Sequence, residues 1–253
     1  MRKLFIACLL LSGNVYAQNV TDTFRFTTDY YFLDLQGNVG QRQQIVGTYI
    51  RDFSSKKVKW TNITTANSAN DSSDRLLPPE KRNAMEGFSY ALGAADMTKV
   101  EFFHDLRSPT MQELSLVWDT RMFETFAEEH FGDLQLNMPY HLPGPTNIPL
   151  AGAGTFQNKD AQLILTGTSE CDGEACAVID YRAFFNTFEL RTGKETLVGR
   201  SHYWGQVWVS MATKRITRGT LYEDVLGQTT SQGSTKPEPI NVFRAGLFER
   251  IRN

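Results

Sequence analysis

Cysteine is scarce in this chain: three in 253 residues, of which Cys8 lies in the N-terminal apolar stretch. That leaves Cys171 and Cys176, too few for a zinc cage without close histidine partners. No histidine pair has the helical H-x-x-x-H spacing, and no C-x-x-C occurs near a βαβ pattern. There is no run of basic residues, so a polyanion such as nucleic acid is not an expected partner. No apolar stretch beyond the N-terminus is long enough to span a bilayer as a helix. Gly152-Ala-Gly154 lacks the third glycine and the following helix of a dinucleotide loop. Gly87-Phe-Ser89-Tyr-Ala91 is one residue short of a nucleophile elbow and lacks its flanking strand and helix. The expectation is therefore no cofactor and no metal.

What is present begins with an export signal. Arg2 and Lys3 precede the apolar run Leu4–Leu11, and Val15-Tyr16-Ala17 is a small-x-small-like cleavage site. Residues 1–17 are thus expected to be a signal peptide. A lipid attachment at Cys8 would leave only Leu4–Ala7 as the apolar region, which is too short. Removing Arg2 and Lys3 lowers the basic side chains from 26 to 24, against 28 acidic ones, a net charge of −4. Residues 18–253 are expected to form a single exported β-rich domain, periplasmic or extracellular, with no transmembrane segment. The alternative is two sub-halves split near 133–150. In an oxidising compartment Cys171 and Cys176, with Asp172-Gly173 between them, are expected to form a disulfide across a hairpin turn.

The rest of the chain is organised around Gly199–Leu226. Side chains alternate from Tyr203 to Met211: Tyr203, Gly205, Val207, Val209 and Met211 on one face, His202, Trp204, Gln206, Trp208 and Ser210 on the other. Ala212–Arg215 is a polar turn and Ile216–Leu226 a returning strand. With apolar groups on both faces, this hairpin belongs inside a sheet. Further strand signals cover Thr23–Leu35, Gln44–Arg51, Lys57–Thr65, Ala161–Gly167 and Ala175–Leu190. Thr64–Asp74 is expected to be a loop, and polar, Pro-rich Gly227–Pro239 to be mobile. Ser108–Phe131 is the one clear helix, with Ser108 as N-cap, Pro109 at its first position and Gly132 as its stop. Its apolar stripe is Met111, Leu114, Val117, Trp118, Met122, Phe126 and His130. At 1.5 Å per residue it would be about 34 Å long, enough to cross a sheet.

These elements define an α+β protein: mainly antiparallel β-sheet or an incomplete barrel, with one long amphipathic helix packed on it. In outline this resembles the exported half-barrel proteins that wrap a curved antiparallel sheet around a helix and carry lipids or lipoproteins. The resemblance covers most of the chain but rests on no shared motif, and fold alone does not fix function.

The candidate ligand site is the face bearing His202, Trp204, Gln206 and Trp208. Indoles four residues apart on a strand lie about 13 Å apart at roughly 3.3 Å per residue. They could stack on sugars or line a lipophilic cavity, with His202 and Gln206 bonding a polar head. Large aromatics are more often core, which here means both indoles beneath the helix. The expected function is non-enzymatic binding of a lipophilic or amphipathic small molecule. Alternatives are a hydrolase built on His104, Asp105 or His202, and a structural or interaction protein. His104-Asp105 is more simply a loop pair, and His130 complements a helix C-terminus. Asn19, Asn62 and Asn70 begin glycosylation sequons that matter only in a eukaryotic source.

Overall fold

The computed structural model of the protein describes residues 21–69, 72–144, 147–234 and 236–251, with the backbone alone at 72 and 73. The leader and the sequons at Asn19 and Asn70 lie outside these residues. The first strands are β1 (Thr21–Leu33), β2 (Val39–Asp52), β3 (Lys57–Ala69), β4 (Ser72–Leu76), β5 (Glu80–Lys81) and β6 (Ser89–Ala91). After the helix come β7 (Pro139–His141), β8 (Asn147–Pro149), β9 (Gly154–Gln157), β10 (Ala161–Cys171) and β11 (Glu174–Thr192). The last are β12 (Glu195–Ser210), β13 (Ile216–Ser231) and β14 (Glu238–Arg250). They form one antiparallel sheet whose main order is β4-β3-β2-β1-β14-β13-β12-β11-β10-β7, with β5 and β6 paired to β3, β9 to β11, and β8 to β9.

That order explains the helix. β1 to β4 step outward to one edge, whereas β10 to β14 begin at the other edge and step back until β14 pairs with β1. The chain must travel from edge to edge between the two meanders, and helix α1 (Met111–Glu124) lies in that crossing segment. Its last turn, Thr125–Glu129, widens to π-helical geometry. The sheet does not close. Bulges at Phe32/Leu33, Val46/Thr48, Ala183/Asn186 and Trp208/Val209 add local bending.

The helix differs in phase from the expected one. Ser108 adopts φ +50° and caps nothing; Thr110 is the N-cap, accepting from Glu113 N while the Glu113 carboxylate accepts from Thr110 N. This T-x-x-E capping box is a sequence signature that the Ser-Pro reading obscured. Gly132 sits inside a short 3-10 turn, Phe131–Asp133, rather than ending the helix. The buried positions include Glu113, Leu116, Val117, Thr120, Phe123, Glu124 and Ala127. Trp118 instead meets the preceding loop: its Nε1 donates to Met97 O at 2.7 Å and its ring stands edge-on to Phe103. Glu128, outside the expected apolar stripe, reaches the sheet.

The core lies between α1 and the inner face of the sheet. Phe123 is fully buried, with its ring centroid 5.7 Å from those of Phe26 and Phe248 and 6.3 Å from that of Tyr181. Phe24 stacks on Phe248 at 4.4 Å. Such ring pairs contribute roughly 0.5–1.5 kcal/mol each beyond the area they bury.

Two further segments differ from expectation. The described part of the expected loop Thr64–Asp74 is strand: β3 runs to Ala69 and pairs with β4, which starts at Ser72. Within Gly227–Pro239, β13 continues to Ser231 and β14 starts at Glu238, so much of that polar stretch is paired strand.

Candidate functional site

The Gly199–Leu226 hairpin lies inside the sheet, with β12 between β11 and β13. Tyr203, Gly205, Val207 and Val209 face the helix and are buried. His202, Trp204, Gln206 and Trp208 therefore point away from α1, and all four are half-buried. The indoles do not pack beneath the helix. Alternation also ends earlier than expected: after the bulge at Trp208/Val209, Ser210 is buried and Met211 lies exposed in the turn.

On the outer face these residues line an open groove of about 870 Å³ across β10–β13. Cross-strand pairing sets its rows. Asp180, Gln206 and Thr220 are directly opposite one another, as are Arg182, Trp204 and Tyr222. Gln206 Nε2 donates to Asp180 Oδ1 at 2.8 Å, and Arg182 Nη2 donates to Gln162 Oε1 at 2.9 Å. Arg218 lies over the Trp208 ring at 5.0 Å. Trp204 and Tyr222 are 6.0 Å apart at 30°. At the rim, the bulge between Ala183 and Asn186 turns Phe184 and Phe185 outward beside His202, with centroids at 5.6 and 5.2 Å. Phe185 adopts φ +61° while 66% exposed, an uncommon conformation for a bulky side chain. Buried Asn186 braces the bulge, donating to Ala183 O and accepting from Lys159 N.

Cys171 and Cys176 are both free thiols, and the expected disulfide between them is not formed. Asp172 and Gly173, both at positive φ, do form the two-residue turn, but the register pairs Cys171 with Glu174 and Cys176 with Ser169. That makes the two thiols diagonal neighbours on one face of the hairpin. Burial pushes the Cys176 thiol up to about 12, opposed by the Thr217 hydroxyl and reinforced by Cys171.

Three of the four histidines have an acidic neighbour. His104 and Asp105 form an exposed pair at 3.1 Å, His130 lies 3.6 Å from Asp133, and His141 Nδ1 is 2.7 Å from Asp160. Among the described residues no three His, Cys, Asp or Glu side chains gather to hold a metal ion.

The sequence reading missed a second polar centre, on the inner face. Arg51, 1% exposed, donates to Asp22 at 3.1 Å, Glu124 at 3.2 Å and Glu128 at 2.7 Å. Tyr49 OH also donates to Glu124, and Ile216 N to Glu128. Further along, Arg244 bridges Asp119 of α1 and Glu223 of β13, beneath the Tyr30 ring. Burial pushes Asp119 up to about 6; Arg244 opposes this and Glu223 adds to it. Burial likewise raises Glu124, against Arg51 and Tyr49. These pairs anchor the helix to the sheet. A signal existed in the sequence: Arg244 and Phe248 share strand parity, which places a charge on a core-facing row.

No family model matches the chain, and no curated protein does. Among solved structures it is similar to "Crystal structure of HCR/D-Sa-GBL1/C", at 8% identity over 91% of this chain and 82% of that one. The TM-score is 0.16, too low for the likeness to carry any argument.

Proposed function

We propose that the protein is an exported, non-enzymatic binding protein whose ligand lies on the outer face of the sheet, in the groove of His202, Trp204, Gln206 and Trp208. One observation carries this reading. Two half-buried indoles share an open groove with an amide fixed by Asp180, and with Arg182, Arg218 and Asp224 beside them. Apolar rings next to oriented polar groups suit an amphipathic small molecule. They suit a purely lipophilic one less, because its chain would strip water from charged groups without replacing their hydrogen bonds. The helix side supports the same choice, since α1 and its aromatic neighbours occupy the space where a half-barrel carrier would hold a lipid.

Intrinsic fluorescence tests this. Adding oligosaccharides, lipids or fatty acids to the mature protein should shift the emission saturably for at least one class. The double change Trp204→Phe plus Trp208→Phe should remove the shift while unfolding stays cooperative. If no class moves the signal, the groove is not a ligand site.

A further inference from the structure

The groove ends on β13, but its row of rings does not end at Tyr222. On the same outer face the rings continue from Trp204 to Tyr222 at 6.0 Å, to Phe243 at 6.3 Å and to Tyr31 at 6.1 Å. The four residues come from β12, β13, β14 and β1, four neighbouring strands, so the track runs perpendicular to the strands. Strand pairing produces it: Trp204 is opposite Tyr222, and Phe243 is opposite Tyr31. The step from Tyr222 to Phe243 is diagonal, because Phe243 pairs with Asp224. Interplanar angles are 30°, 19° and 37°. Face-to-face rings in contact would have centroids about 4 Å apart. These are farther apart, so the rings are not in close face-to-face contact. Tyr222 is 39% exposed.

Both ends of the track are polar. Beyond Tyr31, Arg42 lies over that ring at 5.5 Å and donates to Asp29, which also accepts from Gln44. Before Trp204 stand Arg182, bonded to Gln162, and Asp180, bonded to Gln206. The charged groups of the groove are two acids, Asp180 and Asp224, and two bases, Arg182 and Arg218. The groove has no net charge, and its complement is a neutral ligand.

We infer that this track takes a linear, neutral oligosaccharide, laid across four strands with successive sugar rings over Trp204, Tyr222, Phe243 and Tyr31. The inference rests on the proposed binding groove and extends it. A pyranose has an apolar C–H face to set on an aromatic ring and a rim of hydroxyls for carboxylate, guanidinium and amide partners. The ring spacing is of the same order as one sugar unit in a chain. An anionic polymer would find no excess of bases to release its counterions.

The test is calorimetric titration of the mature protein with β-1,4-linked and α-1,4-linked glucose oligomers, from the dimer to the hexamer. For one of the two series, affinity should rise with length and level off at about four units, with little dependence on salt. Tyr31→Ala plus Phe243→Ala should weaken tetramer binding roughly tenfold, as expected for losing two ring contacts, and leave the dimer unchanged. Phe243→Leu, which keeps more of the side-chain volume, should weaken the tetramer alone if the alanine variant does not fold. Dimer and tetramer binding equally, both dependent on Trp204, would overturn the track and leave the groove standing. Failure of every glucose oligomer alongside a saturable response to another amphiphile would overturn the saccharide assignment. A steep loss of affinity with added salt would overturn the neutral-ligand argument.

Discussion

A Cβ placed on Gly219 of β13 would lie 3.1 Å from the ring of Phe123 on α1, nearer than side chains ordinarily pack. The missing side chain lets the helix settle against the middle of the sheet. Phe123 is fully buried and has rings on several sides, so it has little room to yield. Gly219→Ala should therefore cost about 1–3 kcal/mol, the usual penalty for overpacking. Gly132→Ala, which would meet open space, should stay within about 0.5 kcal/mol. Urea melts of the two variants check this, and equal midpoints would mean that α1 does not need the gap.

Arg51 holds three carboxylates, and removing it leaves Glu124 buried without this ion-pair partner, while Asp22 keeps Arg215. Arg51→Ala should cost about 3–5 kcal/mol, the range for breaking a buried ion pair. Adding Glu124→Gln should recover part of the loss, because one uncompensated charge disappears. A double variant no more stable than Arg51→Ala would show that Glu124 is not coupled to Arg51.

Asp119 makes stability depend on pH in an unusual direction. Its folded value, about 6, lies above the ordinary 3.8. Between these values the folded state binds the proton more tightly than the unfolded chain does. The Asp119 contribution is therefore fully present below about pH 4 and is lost as pH rises through about 6. Exposed Asp52, held down near 2 by hydrogen bonds from Ser54 and Ser55, acts oppositely and at lower pH. The wild-type stability curve minus that of Asp119→Asn should slope downward from pH 4 to 6. Parallel curves would mean that Asp119 titrates alike in both states.

Three of the four tryptophans should separate by position. Trp60 is fully buried, so Trp60→Ala should cost about 3–5 kcal/mol. Trp204→Ala and Trp208→Ala open no hole on the helix side and should each cost less than about 2 kcal/mol, close to surface behaviour. Denaturant melts would contradict this placement if all three losses were equal.

Both cysteines should be found as thiols when unreduced mature protein is denatured. In the native protein an alkylating reagent should modify Cys171 before Cys176, whose thiol is fully buried and protonated. Finding no thiol after denaturation would restore the disulfide.

Much of the sheet was legible because strand periodicity is local. Alternation over Tyr203–Val209, the Asp172-Gly173 turn and the aromatic, β-branched runs each follow from neighbours in sequence, so the hairpins and the β-rich fold were determined there. The four residues of the candidate groove were named from that alternation alone. Their direction was decided by tertiary structure. A strand with apolar side chains on both faces does not say which face meets the helix, and the answer placed Trp204 and Trp208 outside. The helix phase was obscured because Glu113, Thr120 and Glu124 lie on its buried stripe, where Arg82, Arg51 and Tyr49 partner the two glutamates. Local hydropathy counts such residues as exposed, and only partners distant in sequence reverse that. The track from Trp204 to Tyr31 was likewise invisible in the sequence. It exists because β14 returns to pair with β1, which sets residues from opposite ends of the chain side by side.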